Sequence, residues 1–157
     1  MTTLIVSVVA LVVSFLTAVR TWISAVATFR SQARNNYMNA LFDLNRQAIA
    51  NPDLWSVYDA VLVPASNEPL KTAQRLAFVW YHLNLFEVVH ADYTSHRLIP
   101  RDRVDELHWE SLQNFMSTFL AGSEEAQRIV KTDGSARLLN RAFVDFLRGK
   151  LPLPRAA

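Results

Sequence analysis

An uninterrupted apolar run at the N-terminus sets the first limit on how this chain can fold. Thr2 to Val19 are eighteen consecutive uncharged residues, and most of them are aliphatic. As a helix that rises about 1.5 Å per residue, the run would span about 27 Å, close to the thickness of a hydrocarbon core of about 30 Å. The sequence therefore predicts a single membrane-spanning helix, with the lipid bilayer as its partner.

Two other interpretations of this run are weaker. A cleaved signal peptide would need a small-residue cleavage site, which Ala25-Val26-Ala27 resembles, but the positive charges that normally precede the apolar stretch are absent. A core helix of a soluble protein is less favoured still, because small domains rarely bury eighteen uncharged residues in one helix. The membrane-spanning helix is therefore the favoured prediction.

The residues that follow the run suit a membrane–water interface. Arg20 and Arg30 are the only charged residues among the first thirty, and such long side chains can extend to the lipid headgroups. Trp22 is of the residue type enriched at that interface. Because positive charge flanks only the C-terminal side of the run, the positive-inside rule predicts that the N-terminus lies outside and the rest of the chain in the cytoplasm.

Composition excludes several classes of site. The chain has no cysteine, which rules out disulfides, thiolate zinc sites and cysteine-ligated iron–sulfur clusters. Its three glycines are too few for a glycine-rich phosphate loop. From Ser31 onward, fourteen Lys and Arg residues balance fourteen Asp and Glu residues. A nucleic-acid partner would need a basic patch, so we expect none.

Proline and glycine divide the rest of the chain into helices. The first of these breakers is Pro52, so one helix is predicted from about residue 3 to residue 50, running from the membrane into the domain. Asn51 is expected to be an N-cap, with Pro52 at the first helical position. Ser123, followed by two acids, predicts another N-cap. Further helices are predicted at 52–63, 70–95, 100–122, 123–134 and 135–149.

No segment carries a convincing strand pattern, so the predicted fold class is all-α. An N-terminal transmembrane helix is expected to continue into a small helical bundle. The predicted organisation is a transmembrane anchor and juxtamembrane helix at 1–30, a cytoplasmic helical-bundle domain at 31–150, and a tail at 151–157.

The helix predicted at 70–95 carries the pair most suggestive of chemistry. Steps of 100° per residue place Glu87 in the middle of a face that contains Leu76 and Trp80, with His90 near the edge of that face. Burial of a carboxylate without a partner costs several kcal/mol. Glu87 is therefore expected to have a ligand or a hydrogen-bond donor.

Two hypotheses account for this pair. The spacing Glu87-x-x-His90 is that of ligands in di-iron helical bundles, which would make both residues metal ligands. Such a site also needs carboxylates from two further helices, and only Asp43 and Asp145 are plausible. The favoured hypothesis is structural, with Glu87 accepting hydrogen bonds from Trp80, a tyrosine, Asn84 or an arginine such as Arg46.

No catalytic motif is present, so we expect neither an enzyme nor a cofactor. Serine and threonine are common, but no G-x-S-x-G motif nominates a nucleophile. Trp109 lies roughly opposite Leu112 and Phe119 on its predicted helix. It is either an exposed anchor for a partner protein or a rim residue covered by a neighbouring helix.

These features predict a membrane-anchored, non-enzymatic helical protein that acts by protein–protein binding. The expected role is that of an accessory or assembly subunit of a larger membrane complex, for example an energy-transducing one, with other membrane-protein subunits as partners. The alternatives are a carboxylate–histidine metal-binding bundle and a stand-alone membrane-tethered adaptor or sensor.

Overall fold

The computed structural model describes residues 2–58, 68–95, 102–132 and 137–150. Within these ranges all regular structure is helical, which confirms the all-α prediction. The elements are α1 (Thr2–Ala50), a 3-10 helix (Pro52–Val57), α2 (Pro69–Thr94), α3 (Arg103–Gly122), α4 (Glu124–Lys131) and α5 (Arg141–Lys150). Residues 59–63 of the helix predicted at 52–63, and the predicted tail at 151–157, lie outside the described residues.

The chain forms two compact units, Met1–Asn39 and Ala40–Ala157. The boundary falls within the bounds of α1, whereas the sequence analysis drew the end of the anchor at residue 30. The prediction of one long helix ending just before Pro52 is confirmed, since α1 has 49 residues and ends at Ala50. Neither proline nor glycine occurs within it, so no helix-breaking residue interrupts it.

The predicted N-caps have different outcomes. Ser123 caps α4 as predicted, because its side chain accepts a hydrogen bond from the backbone N–H of Ala126 at 3.2 Å. Asn51 is the N-cap residue of the 3-10 helix and Pro52 begins that helix, as predicted, but the Asn51 side chain makes no capping hydrogen bond. Asn51 instead donates from its side-chain amide to the carbonyl of Gln47 at 3.1 Å. The same carbonyl also accepts the backbone N–H of Asn51 at 2.9 Å.

The core of the second unit is rich in aromatic side chains. Helices α2 and α3 run antiparallel across it: the rings of His82 and Phe119 are 4.6 Å apart, and those of Tyr93 and Trp109 are 4.9 Å apart. The buried side chains of α2 recur at intervals of three and four residues, as on one face of a helix. They are Arg75, Phe78, Val79, His82, Leu83, Phe86, Val89, His90 and Tyr93.

The predicted inward face of α2 is partly wrong. Leu76 is 36% exposed, and Trp80 and Glu87 are only half-buried. The face that the core covers contains His82, which is fully buried. A neutral imidazole can be buried at little cost when both of its nitrogens have partners.

Gly122 allows the end of α3 to approach the 3-10 helix closely. A Cβ added at Gly122 would overlap the backbone carbonyl oxygen of Tyr58, the residue that follows the 3-10 helix. Backbone atoms cannot swing aside as a long side chain can. Any residue other than glycine at this position must therefore push the two elements apart.

We expect Gly122→Ala to destabilise the second unit by about 1–3 kcal/mol, the usual range for overpacking. The measurement is the midpoint of urea unfolding of the full-length chain in detergent. Gly149→Ala in α5 is the matched control, because a Cβ there meets nothing within 4 Å. That control should gain about 0.5–1 kcal/mol from the better helix former. Equal effects of the two substitutions would contradict the close approach at Gly122.

Candidate functional site

The apolar surface of α1 is the most exposed feature of the first unit. Nine large apolar side chains between Ile5 and Leu16 are each 48–72% exposed. Steps of 100° per residue spread these side chains over about 220° of the helix circumference, and the smaller Ser7, Ala10 and Ser14 on the remaining side are exposed as well. Among the described residues α1 is the only helix long and apolar enough to cross a membrane, and none of its most apolar 18-residue stretch is buried.

Three threonines of α1 donate hydrogen bonds from their hydroxyl groups to the backbone of the same helix. The hydroxyls of Thr17, Thr21 and Thr28 donate to the backbone carbonyls four residues earlier, at 2.8, 2.9 and 3.0 Å. A polar group without a partner is costly in an apolar environment. Bonds made within the helix remove that cost and leave the threonine methyl groups at the surface.

The predicted interface residues follow the apolar run along α1. Arg20 is exposed and Arg30 is half-buried, while Trp22 is 48% exposed. Arg20 and Trp22 lie within a single helical turn of the end of the run at Val19. Their positions are compatible with headgroup contact, and their interfacial roles stay predictions.

A hydrogen-bonded pair, Tyr58 and His82, lies in the core of the second unit. The Nδ1 atom of His82 is 2.9 Å from the backbone carbonyl oxygen of Phe78, and its Nε2 atom is 2.8 Å from the hydroxyl oxygen of Tyr58. A carbonyl only accepts hydrogen bonds, so Nδ1 carries the hydrogen and donates. Nε2 is then the acceptor for the Tyr58 hydroxyl, and both nitrogens of the neutral ring are used.

Aromatic rings surround this imidazole. Phe119 stacks on it with ring planes 11° apart, and Phe78 meets it edge to face with centroids 4.6 Å apart. Burial lowers the pKa of His82 to about 4 and raises the pKa of Tyr58 to about 12. Acid–base catalysis favours a group whose pKa lies near the working pH. The geometry and both pKa values therefore favour a structural role for the pair.

The sequence analysis did not identify His82 as a core residue. The available signal was its spacing, because Phe78, His82 and Phe86 recur every four residues and define one helical stripe. The face that the sequence analysis described contains Leu76 and Trp80 instead. A histidine midway between two phenylalanines at this spacing indicates a buried imidazole.

Glu87 and His90 lie near each other on α2 but make different contacts. Glu87 accepts a hydrogen bond from the backbone N–H of Asn140, the residue before α5. Its negative charge thus lies at the N-terminal end of α5, where the helix dipole favours it. The predicted structural role therefore has a partner, although not Trp80, Asn84 or Arg46; Arg46 instead pairs with the exposed Asp43 at 3.6 Å.

His90 belongs to an aromatic cluster. It is 7% exposed, and its ring centroid lies 4.7 Å from that of Phe146 and 5.4 Å from that of Phe143. Burial lowers the pKa of His90, and the nearby charge of Glu87 partly opposes this effect. Within the described ranges no group of three or more His, Asp or Glu residues could hold a metal ion, so the metal hypothesis finds no third ligand there.

Trp109 joins three helices rather than standing apart from them. Its ring stacks on Tyr93 of α2, with centroids 4.9 Å apart and planes at 11°, and on Phe146 of α5 at 5.9 Å and 26°. The side chain is half-buried. These contacts are those of the rim residue that the sequence analysis considered, and a role in partner binding stays a prediction.

Comparison with protein-family models, with curated proteins and with solved structures gives no match. Function is therefore inferred from the residues and their geometry. The exposed apolar surface of α1 has the larger consequence, because exposed apolar surface is costly in water, whereas the buried polar groups of His82 and Tyr58 bond to each other.

The free energy of unfolding should fall as the pH is lowered from about 6.5 to about 4. In the unfolded chain His82 takes up a proton near the ordinary pKa of 6.5, but in the folded chain only near 4. Between these values the unfolded state binds more protons. The stability is thus fully present above about 6.5 and falls by about 3 kcal/mol toward pH 4. Urea unfolding at a series of pH values measures this.

His82→Gln tests the assignment, since an amide can donate to one partner and accept from the other without titrating. This variant should lose most of the pH dependence. His90→Gln is the matched control, because the pKa of His90 is also lowered. Removing His90 should take away only a smaller share of the pH dependence of the free energy of unfolding. An unchanged slope in His82→Gln would contradict burial of a neutral His82.

Proposed function

We propose that this chain is a single-pass membrane protein whose helical domain lies in the cytoplasm and binds other membrane-protein subunits. The observation that carries the proposal is the apolar surface of α1, of which no residue in the most apolar 18-residue stretch is buried. Leaving apolar surface in water costs about 25 cal/mol for each Å². A lipid bilayer covers every side of one helix at once, which few protein partners do.

The alternatives for α1 have less support. A core helix of a soluble protein would be mostly buried, and the apolar stretch of α1 is not. A signal peptide cleaved at Ala25-Val26-Ala27 would normally carry basic residues before its apolar stretch, and residues 1–19 contain neither Lys nor Arg.

The proposed orientation rests on the charges beside the apolar run. Arg20, Arg30 and Arg34 follow the run, whereas none of residues 1–19 has a charged side chain. Cytoplasmic flanks of membrane helices carry an excess of Lys and Arg. The second unit is therefore proposed to lie in the cytoplasm, with the N-terminus outside.

A binding role is supported by how the second unit uses its polar residues. Buried His82 bonds to Tyr58 and Phe78, and Glu87 bonds to the start of α5. These groups hold helices together, and their contacts give no reason to assign them a reaction. Anchoring in a membrane brings such a domain next to other membrane proteins. The proposed role is thus an accessory or assembly subunit of a larger membrane complex.

Orientation can be tested with single cysteines, since the chain has none of its own. We expect Ser111→Cys, at an exposed position of α3, to resist a membrane-impermeant maleimide in intact cells and to react after permeabilisation. Thr2→Cys, the first residue of the apolar run, is the matched control and should react in intact cells. Labelling of Ser111→Cys from outside would reverse the proposed orientation.

The role as a subunit is tested by the native mass of the chain after extraction from its own membranes in mild detergent. We expect it to migrate with a large assembly, because a subunit stays with its partners when lipid is replaced by detergent. The co-purifying chains would then identify the complex.

Migration as one or two copies of this chain alone would contradict the subunit role and favour a stand-alone adaptor. Recovery in the soluble fraction, without detergent, would contradict the anchor itself. The matched control is Val9→Arg, since an arginine near the middle of a span costs about 2.5–3.5 kcal/mol. It should lower the membrane-bound fraction without altering the second unit.

A further inference from the structure

A shallow groove runs along the part of α1 where the apolar run ends. Its volume is about 640 Å³, within the range of about 300–1,000 Å³ that is usual for small-molecule sites. At 100° per residue, its two large members, Val13 and Trp22, lie on opposite sides of the small ones. We name it the apolar groove; it is lined by Val13, Ser14, Thr17, Ala18, Thr21, Trp22 and Ala25.

The apolar groove offers mainly hydrocarbon surface, although it contains hydroxyl groups. The hydroxyls of Thr17 and Thr21 already donate to backbone carbonyls of α1, at 2.8 and 2.9 Å. Their methyl groups remain for a ligand, together with the methyl groups of Ala18 and Ala25. Such a surface suits a hydrocarbon chain better than a polar molecule.

A second groove adjoins the apolar groove and contains a cation. It shares Thr17 and Thr21 with the apolar groove and is also lined by Leu16, Arg20 and Ser24. Arg20 is exposed, and it is the only charged residue among the first 29 of the chain. A single guanidinium therefore lies beside a surface that is otherwise uncharged.

Helix α1 holds no carboxylate close to Arg20. The nearest one on this helix belongs to Asp43, about 35 Å away at about 1.5 Å per residue. Arg30 and Arg34 already interact with other groups of the chain, so Arg20 is the arginine to which we assign a ligand. A positive charge beside apolar surface is costly unless an anion accompanies it.

The proposed membrane supplies such an anion at the level of Arg20. Because Arg20 directly follows the eighteen-residue run, it lies where the hydrocarbon core ends and the headgroups begin. A guanidinium binds a phosphate group through two parallel hydrogen bonds. Phosphatidylcholine has a phosphate too, but its choline cation makes the headgroup neutral. A headgroup with a net negative charge is therefore favoured beside Arg20.

We infer that these two grooves bind one anionic phospholipid, with its phosphate on Arg20 and an acyl chain along the apolar groove. Arg20 and Val13 are about 10 Å apart along α1, which lies within the depth of about 15 Å of half a hydrocarbon core. With the proposed orientation, the lipid belongs to the cytoplasmic leaflet. The inference rests on the proposed function, because it requires α1 to span a bilayer.

Photo-crosslinking of the full-length chain in vesicles tests this site. The vesicles are phosphatidylcholine with a trace of a photoreactive lipid, either phosphatidylglycerol or phosphatidylcholine, each with the same diazirine-labelled acyl chain. Peptide mass spectrometry locates the adducts. Adducts on residues that line the apolar groove should be about five-fold more frequent with the phosphatidylglycerol probe. That ratio corresponds to about 1 kcal/mol for one arginine near an anionic headgroup, at about 1.4 kcal/mol per factor of ten.

Two variants test the role of Arg20. Arg20→Gln should lower the ratio of the two probes to about one. Arg46→Gln is the matched control, because it removes the same charge from α1 about 39 Å away, far beyond a Debye length of about 8 Å. The Arg46 side chain is 82% exposed, so its replacement should leave both the fold and the ratio unchanged.

A second pair of variants tests the apolar groove. Ala18→Leu fills the groove and should lower the yield of groove adducts several-fold with both probes. Val12→Leu is the matched control, because it enlarges a residue of α1 that does not line the groove. It should leave the yield unchanged.

The possible failures are distinguishable. A ratio near one in the unaltered chain, or the same ratio in Arg20→Gln, would overturn the assignment of the phosphate to Arg20. Adducts spread evenly around α1 would overturn the assignment of the acyl chain to the apolar groove. In both cases the chain would still float with the vesicles in a density gradient, and the proposed anchor would stand. A chain that does not float with them would contradict the anchor and this inference together.

Discussion

A fully buried imidazole is stable only when both of its nitrogens have partners, and His82 meets this condition in a way that orders its surroundings. Its bond to the Phe78 carbonyl fixes which nitrogen carries the hydrogen, and its bond to Tyr58 holds the end of the 3-10 helix against α2. Phe119 of α3 stacks on the same ring. Three elements thus meet at one neutral side chain, and the close approach at Gly122 lies beside it.

The last helix is fastened to this core by polar contacts at both ends. Glu87 accepts from Asn140 just before α5 begins. Near the other end, Arg148 donates to the carbonyl of Val130 at 3.1 Å, and Lys150 donates to the side chain of Gln113 at 3.0 Å. Between these contacts Phe143 and Leu147 are buried. The hydrophobic packing and the polar contacts therefore favour the same position for α5.

The sequence predicted the structural features that depend only on residues close to one another along the chain. The apolar run, the absence of a breaker before Pro52 and the cap at Ser123 are local patterns, and the structure has each of them. It could not predict contacts between distant residues: the partner of Glu87 is 53 positions away, beyond what any helical spacing reports. It could not predict the burial of His82 either, because that burial depends on a hydrogen bond with Tyr58, 24 positions away.

Because α5 packs into the core of the second unit, that core can be completed only late in synthesis of the chain. Leu147 is the last core residue of α5. It follows Ile5 by about 140 residues, which a ribosome adds in on the order of 10 s at about 5–20 residues per second. Throughout that interval the apolar surface of α1 exists while the core of the second unit still lacks its last helix. The cell therefore encounters the apolar surface of α1 on the nascent chain, before the second unit can complete its core.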